Sequence, residues 1–491
     1  MTAEEKYLDL VENGIAGGPF EADWSSLSRM RTPAWFDENR LGIFTHWGLY
    51  SIPAHSNEWY SRNMYRQEDE AFEYHRKTFG PQKDFGYKDF IPRFTAERFD
   101  ADEWLALFRE AGAGYYFPVA EHHDGFQMYD SELSEWCAAK KGPKRDVLGE
   151  LKAAAGRAGI HFCASSHRAE HWFFMSGGRQ FESDVRDPMK KGDFYWPAMP
   201  EPNTEDRGSE PAPTAEYLDD WLARTAEIIV KYRPELLYFD WWIQHEAFLP
   251  YLKKLAAFYY NCGVKWGQDV SICYKLDAFA FGSGIFEVER GGLSEERAFR
   301  WQTDTAAARN SWCHTDDLIY KPSREILINL VDAVSKNGNL LLNIGPKADG
   351  SIADGDRKIL QEIGTWMRVN SEAVNGARPW RKAQEGPTVQ REGQFTDTEE
   401  LAYTSEDYRF TVKGDALYAI CLKCPEDGRF AVKSLRDSFD PAKRESHLLI
   451  DRVDVLGYEG PVEWKADEEA LHVAAPGIQS DAPVVIRVRV K

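Results

Sequence analysis

Two segments of the chain set a carboxylate where burial makes it costly. Asp240 directly follows the apolar run Leu236-Leu237-Tyr238-Phe239 and precedes Trp241-Trp242. Glu289 closes Ile285-Phe286-Glu287-Val288-Glu289 and precedes Arg290. A carboxylate at the edge of an apolar strand, flanked by rings, loses hydration and needs compensation. A cap on the next segment or an ion pair with a nearby Arg would supply it, and so would a chemical role. Two such groups from different strands are what glycoside hydrolysis uses: one attacks or positions water, the other protonates the departing oxygen. Imidazoles stand nearby in the same kind of position, at His46 in Thr45-His46-Trp47-Gly48 and at His122-His123-Asp124. Glu58-Trp59-Tyr60 offers an acceptor beside two aromatics, which suits a pair of sugar hydroxyls lying over an apolar ring face.

A metal centre is the competing chemistry for the histidines. Adjacent residues on a strand point to opposite faces, so His122 and His123 are poor joint ligands for one ion. Cys421-x-x-Cys424 has no second pair to complete a zinc site. No metal site is expected.

The elements that must position these groups lie between about residues 40 and 375. Eight short, mostly apolar runs end in polar or charged residues: Gly42–His46, Tyr115–Ala120, His161–Ser165, Leu236–Asp240, Val270–Tyr274, Ile285–Glu289, Phe299–Gln302 and Leu340–Ile344. Buried parallel strands read this way. Amphipathic patterns follow several of them, at Asp102–Ala111, Asp146–Ala158, Ala215–Tyr232, Tyr251–Tyr260, Arg324–Ser335 and Arg357–Asn370. The alternation predicts an α/β fold, a (β/α)8 barrel, whose catalytic groups gather at the C-terminal ends of the strands. Reading off those ends gives His46, Glu121 to Asp124, His167, Asp240 and Glu289. Strands five to seven stand too close together for helical crossovers, so the barrel is expected to be irregular there. The Gly-, Pro- and charge-rich stretch from Gly177 to Pro213 reads as a long functional loop on the catalytic rim. After about residue 380 the helical signal stops, and Tyr408–Lys413, Ala416–Leu422, His447–Leu456, Pro461–Lys465, Ala470–Ala474 and Pro483–Val490 predict an antiparallel β-sandwich. The expected division is a catalytic barrel over 1–378 and a β-sandwich domain over 379–491.

The bulk composition narrows the function classes. The chain has 491 residues, 60 basic against 80 acidic, for a net charge of −20. Such a surface repels phosphate backbones and anionic lipid, so neither nucleic acid nor membrane is an expected partner. Aromatic residues make up 14% of the chain, which permits a carbohydrate site. The seven scattered cysteines suggest reduced thiols. The N-terminus lacks the basic start and apolar stretch of a signal peptide, from which a cytoplasmic location is expected.

In order along the chain, several blocks resemble the signatures of the family-29 glycoside hydrolases, the α-L-fucosidases. They are Leu41 to Ala54 followed by Glu58-Trp59-Tyr60; His122-His123-Asp124-Gly125-Phe126; Gly142-Pro143-Lys144-Arg145-Asp146; and Asn337 to Lys347 with Asp349-Gly350. The resemblance spans roughly residues 30 to 375. It implies a retaining, exo-acting enzyme that takes a fucosylated oligosaccharide or glycoconjugate and needs no cofactor. It puts the nucleophile at Asp240 and the acid/base in Glu287-Val288-Glu289-Arg290-Gly291, where Glu289 fits better than Glu287. Sugar-binding positions carry over to His46, Glu58, Trp59, His122 and His123, with Lys275 as the basic residue near the fifth strand and Trp172 in the third-strand segment. That segment, Ser165 to Trp172, departs from the family pattern, since many relatives have a Tyr-containing stretch ending in Asp-Trp. Two other readings stay open: a glycan-binding protein without catalysis, which should lack one carboxylate, and a metal-dependent hydrolase built on the histidine pair.

Overall fold

The computed structural model describes residues 1–397, 400–438 and 449–491. Eight parallel strands close into a barrel: Leu41–Thr45, Tyr115–Glu121, the interrupted third strand His161–Phe162 and Ala164–Ser166, then Leu236–Phe239, Ser271–Lys275, Ile285–Glu289, Trp301–Ala306 and Gly338–Ile344. The first strand pairs with the last, Gly42 opposite Leu341, and with the second, Gly42 opposite Tyr115, which completes the ring.

The near-continuous apolar runs are explained by burial on both faces. Alternate residues point to opposite sides of a strand. Phe44, Tyr115, Phe117, Leu236, Tyr238, Cys273, Ile285 and Leu341 fill the barrel interior. Their neighbours Ile43, Tyr116, Leu237, Phe239, Ile272, Leu340 and Leu342 face outward, into the main core shared with the helices. Those helices are Ala101–Glu110, Val147–Ala158, Ala215–Tyr232, Leu249–Trp266, Ser323–Ser335 and Asp354–Asn370. The fourth runs well beyond the Tyr251–Tyr260 expected from its pattern.

The irregularity falls where the spacing placed it. The described residues 276–284 and 290–300 form turns without a helix. The seventh strand differs from expectation, occupying Trp301–Ala306 rather than Phe299–Gln302. Its polar half, Thr303-Asp304-Thr305, is buried because it faces other polar groups at the barrel mouth, which an apolar-run criterion misses.

Two family blocks turn out to brace the barrel. Asp146 caps Val147–Ala158 by accepting from Gly149 N at 3.1 Å, and Arg145 pairs with Glu150. Asn339 Nδ2 donates to the carbonyls of Phe36 and Asn39 at 2.9 and 2.8 Å, and Arg40 donates to Asn339 Oδ1 at 2.9 Å.

Beyond the barrel, antiparallel strands form two sheets, giving the β-sandwich. One orders Arg378–Glu385, Tyr408–Lys413, Ala416–Cys421, Val484–Val490 and Ile450–Val455; the other orders Arg429–Val432, Leu471–Ala474 and Glu463–Ala466. All six expected strands are present in whole or part. The 447–448 start of His447–Leu456 lies outside the described residues. Arg409, fully buried, ties the sandwich to the barrel helix Ser323–Ser335 by donating to Asp332 Oδ1 at 2.5 Å. All seven cysteines are free. Among the described residues no helix is long and apolar enough to cross a membrane.

The third-strand segment is pinned from behind by a buried charge cluster. Arg168 Nη1 lies 2.6 Å from Glu121 Oε1 and its Nη2 2.7 Å from Asp220 Oδ2, while Arg224 reaches the same two carboxylates at 3.1 and 2.9 Å. Removing one cation leaves buried negative charge uncompensated, at a cost of about 3–5 kcal/mol. Arg168→Met is therefore expected to lower stability by that order, read from the midpoint of urea unfolding. A shift no larger than that of the exposed Arg98→Met would refute the assignment.

Candidate active site

The barrel mouth opens into a cavity of about 560 Å³. This lies within the range typical of small-ligand sites, about 300–1,000 Å³. Its floor is Phe44 and Tyr238 from the top of the barrel interior, and its walls carry most of the residues singled out in the sequence: His46, Glu58, Trp59, His122, Asp240, Lys275 and Glu289.

Asp240 stands one residue past the fourth strand, clear of the ladder and free to face the mouth. Lys275 Nζ donates to its Oδ1 at 2.8 Å. On the other oxygen, His167 Nδ1 lies at 3.0 Å and His123 Nε2 at 3.3 Å. Burial by itself raises the pKa of Asp240, but Lys275, His167 and His123 outweigh it and hold the carboxyl well below its ordinary value. Asp240 is ionised.

Glu289 ends the sixth strand, with Glu287 two residues below it on the same inward face. The two are separated by depth. Glu289 lines the cavity, where its Oε2 accepts from both Lys275 Nζ and Trp241 Nε1. Glu287 is fully buried one layer down and accepts from Gln302 Nε2 at 2.7 Å. Burial pushes Glu289 up to about 7; Lys275 opposes the rise, while the charges on Asp240 and Asp304 add to it. Arg290, the simplest ion-pair partner in sequence, turns away to Asp397 at 3.1 Å.

The histidines converge despite their positions in sequence. The second strand stops at Glu121, so the strand alternation that would separate His122 from His123 no longer applies, and both reach the site. His122 lines the cavity and His123 approaches Asp240. His46 Nδ1 is held by Asn343 Oδ1 at 2.7 Å. Burial drives His46, His122 and His167 down, so all three are neutral. His123 is buried as well, yet Glu170 and Asp240 raise it above its ordinary value. Ligand atoms of His46, His122 and His167 lie within 4.8 Å of one another, as do those of His123, His167 and Asp240. No local spacing announces the set of His46, His122 and His167, because it comes from three different strands. His167 has both ring nitrogens engaged, by Asp240 and by Ser165 Oγ at 3.1 Å.

One expected residue is not in the site. Trp172 is fully buried and packs on Phe173, with ring centroids 4.9 Å apart. Residues three apart share a helix face. In the short helix His171–Phe174 that geometry sends Phe173, together with Glu170 before it, to the cavity and Trp172 to the core.

Several lining residues were not singled out. Asp304 accepts from Tyr238 Oη at 2.7 Å and lies opposite Glu289 in the strand register. It was hidden by the misplaced end of the seventh strand. Trp312, whose backbone N donates to Glu58 Oε2 at 3.0 Å, sits in a loop that carries no sequence signal. Thr204 confirms that the long loop reaches the mouth, and Phe395 arrives from beyond the barrel.

Cleaving a glycosidic bond asks for two carboxylates of opposite protonation within reach of one substrate, and Asp240 and Glu289 meet that demand, which puts the chain among the glycoside hydrolases. The comparisons agree. The family model described as Alpha-L-fucosidase matches residues 10–372, and the chain belongs to that family. Rattus norvegicus tissue alpha-L-fucosidase is 29% identical over 470 residues, covering 92% of this chain and 88% of the relative. The Alpha-L-fucosidase of Dictyostelium discoideum is 29% identical over 502 residues, covering 98% and 95%. Among solved structures, Thermotoga maritima alpha-fucosidase superposes with a TM-score of 0.73 at 26% identity, over 96% of this chain and 100% of that one. The same enzyme solved in complex with fucose also gives 0.73.

Lys275 is the point on which the site can be tested. Lys275→Met is expected to lower kcat/KM on an aryl α-L-fucoside by at least about a hundredfold. The acid limb of the pH profile should move up, since Asp240 loses the cation that does most to hold its pKa down. An unmoved acid limb with near-normal turnover would show the bridge to be dispensable.

Proposed function

We propose that this chain is a retaining, exo-acting α-L-fucosidase that releases terminal α-L-fucosyl residues from oligosaccharides or glycoconjugates by double displacement. The observation that carries the reading is the shared ammonium. Asp240 and Glu289 both hydrogen-bond Lys275 Nζ, so their nearest oxygens are separated by at most two hydrogen-bond lengths, about 6 Å. Retaining pairs stand about 5–5.5 Å apart and inverting pairs about 6.5–9.5 Å, which favours direct attack over an interposed water.

In the first step Asp240 attacks the anomeric carbon as the bond to the leaving oxygen breaks, and the proton of Glu289 passes to that oxygen. In the second, Glu289 as carboxylate takes a proton from water. The water oxygen attacks the anomeric carbon and Asp240 departs as carboxylate. Glu58 offers an acceptor, as does Nε2 of neutral His46, whose Nδ1–H is engaged by Asn343, and the imidazole of His122 offers a donor to ring hydroxyls. Trp59, Phe173 and Trp312 provide apolar faces for a deoxysugar's methyl group. The family, the α-L-fucosidase names of the relatives and the fucose complex of the Thermotoga maritima enzyme support fucose as the sugar.

Asp240→Gly is expected to reduce turnover of an aryl α-L-fucoside by at least about a thousandfold, with partial restoration by azide. Normal turnover would end the nucleophile assignment. Glu289→Gln should cost about 10²–10⁴-fold on substrates with poor leaving groups and much less on activated ones. If Glu287→Gln shows that leaving-group dependence instead, the acid/base is Glu287. Because Glu289 must carry its proton, kcat/KM should fall as pH rises through about 7. An alkaline limb that survives unchanged in Glu289→Gln would contradict this.

A further inference from the structure

The residues beside the general acid do not all come from the barrel. A segment of the C-terminal part, 392–397, crosses back over the turn that follows the sixth strand. Gly393 and Gly292 exchange backbone hydrogen bonds at 2.9 and 3.3 Å. Phe395 N donates to Glu289 O at 2.8 Å, Asp397 N to Arg290 O at 3.0 Å, and Glu289 N donates to Gln394 Oε1. Asp397 also receives Arg290, Lys321 and Thr305. The contact is so close that a Cβ on Gly291 would lie 1.9 Å from Gly393 O. That accounts for glycine at Gly291, the last residue of the acid/base motif.

The arm exposes one large apolar side chain. Phe395 is 48% exposed, lines the cavity, and has φ of +54°, a left-handed backbone that bulky residues avoid. Strain of this kind persists only where the surroundings over-determine it, and it gathers at functional sites. The Phe395 ring lies nearly parallel to that of Trp241, at 19° and 5.8 Å between centroids. Trp241 in turn donates to the carboxylate of Glu289. The two rings thus make a continuous apolar shelf next to the acid.

We propose that the Trp241–Phe395 shelf is the binding site for the leaving group, and that it takes a pyranose ring through its apolar face. The inference rests on the fucosidase reading above. The leaving oxygen must come within hydrogen-bond reach of Glu289 when it is protonated, so whatever it is attached to lies against the wall beside Glu289. That wall is the shelf. A pyranose presents C–H bonds on one face, which matches flat aromatic surface, whereas an exposed phenylalanine held in a strained backbone has no evident stabilising role. The arm that carries it also fixes both backbone polar groups of the acid/base residue.

The test compares Phe395→Ala with the unaltered enzyme on two substrates. α-L-Fucosyl fluoride has no ring in its leaving group; the second substrate is the best-hydrolysed member of a set of fucosyl disaccharides of each linkage. The loss in kcat/KM on the disaccharide is expected to exceed that on the fluoride by about tenfold, the weight of one aromatic contact. Phe395→Tyr, which keeps the ring, should restore most of the difference. Equal losses on both substrates, or no rescue by Tyr, would overturn the shelf and leave the arm a brace for the strand. If the unaltered enzyme cleaves neither substrate, the fucosidase reading itself fails, which is a separate outcome.

Discussion

One buried ammonium organises the site. Lys275 is 1% exposed, and a cation placed there is tolerable only because two carboxylates meet it. The same meeting sets their separation and forces their charges apart. Asp240, Glu289, Asp304 and Glu287 stand close together, and Lys275 alone cannot neutralise four anions. Groups crowded in this way share their protons unevenly. Asp240, with two imidazoles on its far oxygen, keeps its negative charge. Glu289 lacks such help and holds a proton near neutral pH. The difference in protonation between Asp240 and Glu289 follows from what else touches each carboxylate.

The scaffold bends its backbone to make this arrangement. Trp242, Leu276 and Arg290, each one or two residues past a site residue on strands four, five and six, all have positive φ, at +76°, +51° and +47°. A left-handed residue there turns the chain sharply away from the strand axis, just past the point where Asp240, Lys275 and Glu289 face the mouth. The strain is offset by packing and hydrogen bonding around it. The two helix-free turns belong to the same sector. With only a short loop after the sixth strand, the rim is low enough there for the C-terminal arm to pair with Gly292.

Much of this was legible in the sequence, for reasons that also explain the rest. The barrel could be read because buried parallel strands are apolar on both faces, and Asp240 and Glu289 stood out as charges breaking those runs. The same criterion failed for Trp301–Ala306, whose outer half is polar, and so it concealed Asp304. Trp172 was placed wrongly because aromatic character says nothing about which side of a short helix faces the cavity. His167 was visible as a strand end, but its closeness to Asp240 depends on the spacing between two strands. Phe395 had no local signal at all. Its role comes from an arm more than a hundred residues beyond Glu289 in the chain, and only tertiary contact reveals it.

The two ends of the cavity are consequently built from different material. The wall around Asp240 is made of strand ends and their immediate loops, with His46, His123 and His167 locked by Asn343, Ser165, a backbone carbonyl and the buried cluster of Arg168 and Arg224. Changing it means disturbing the barrel. The wall beside the acid is completed by a loop from outside the barrel, touching it through backbone pairs, a few side chains and one exposed ring. Substitutions in such a loop can alter that wall while leaving Asp240 and its imidazoles in place. With the shelf as the proposed leaving-group site, a fold of this kind separates recognition of the sugar being released from recognition of what it is released from. The first is tied to the stability of the barrel, and the second is free to vary with the arm.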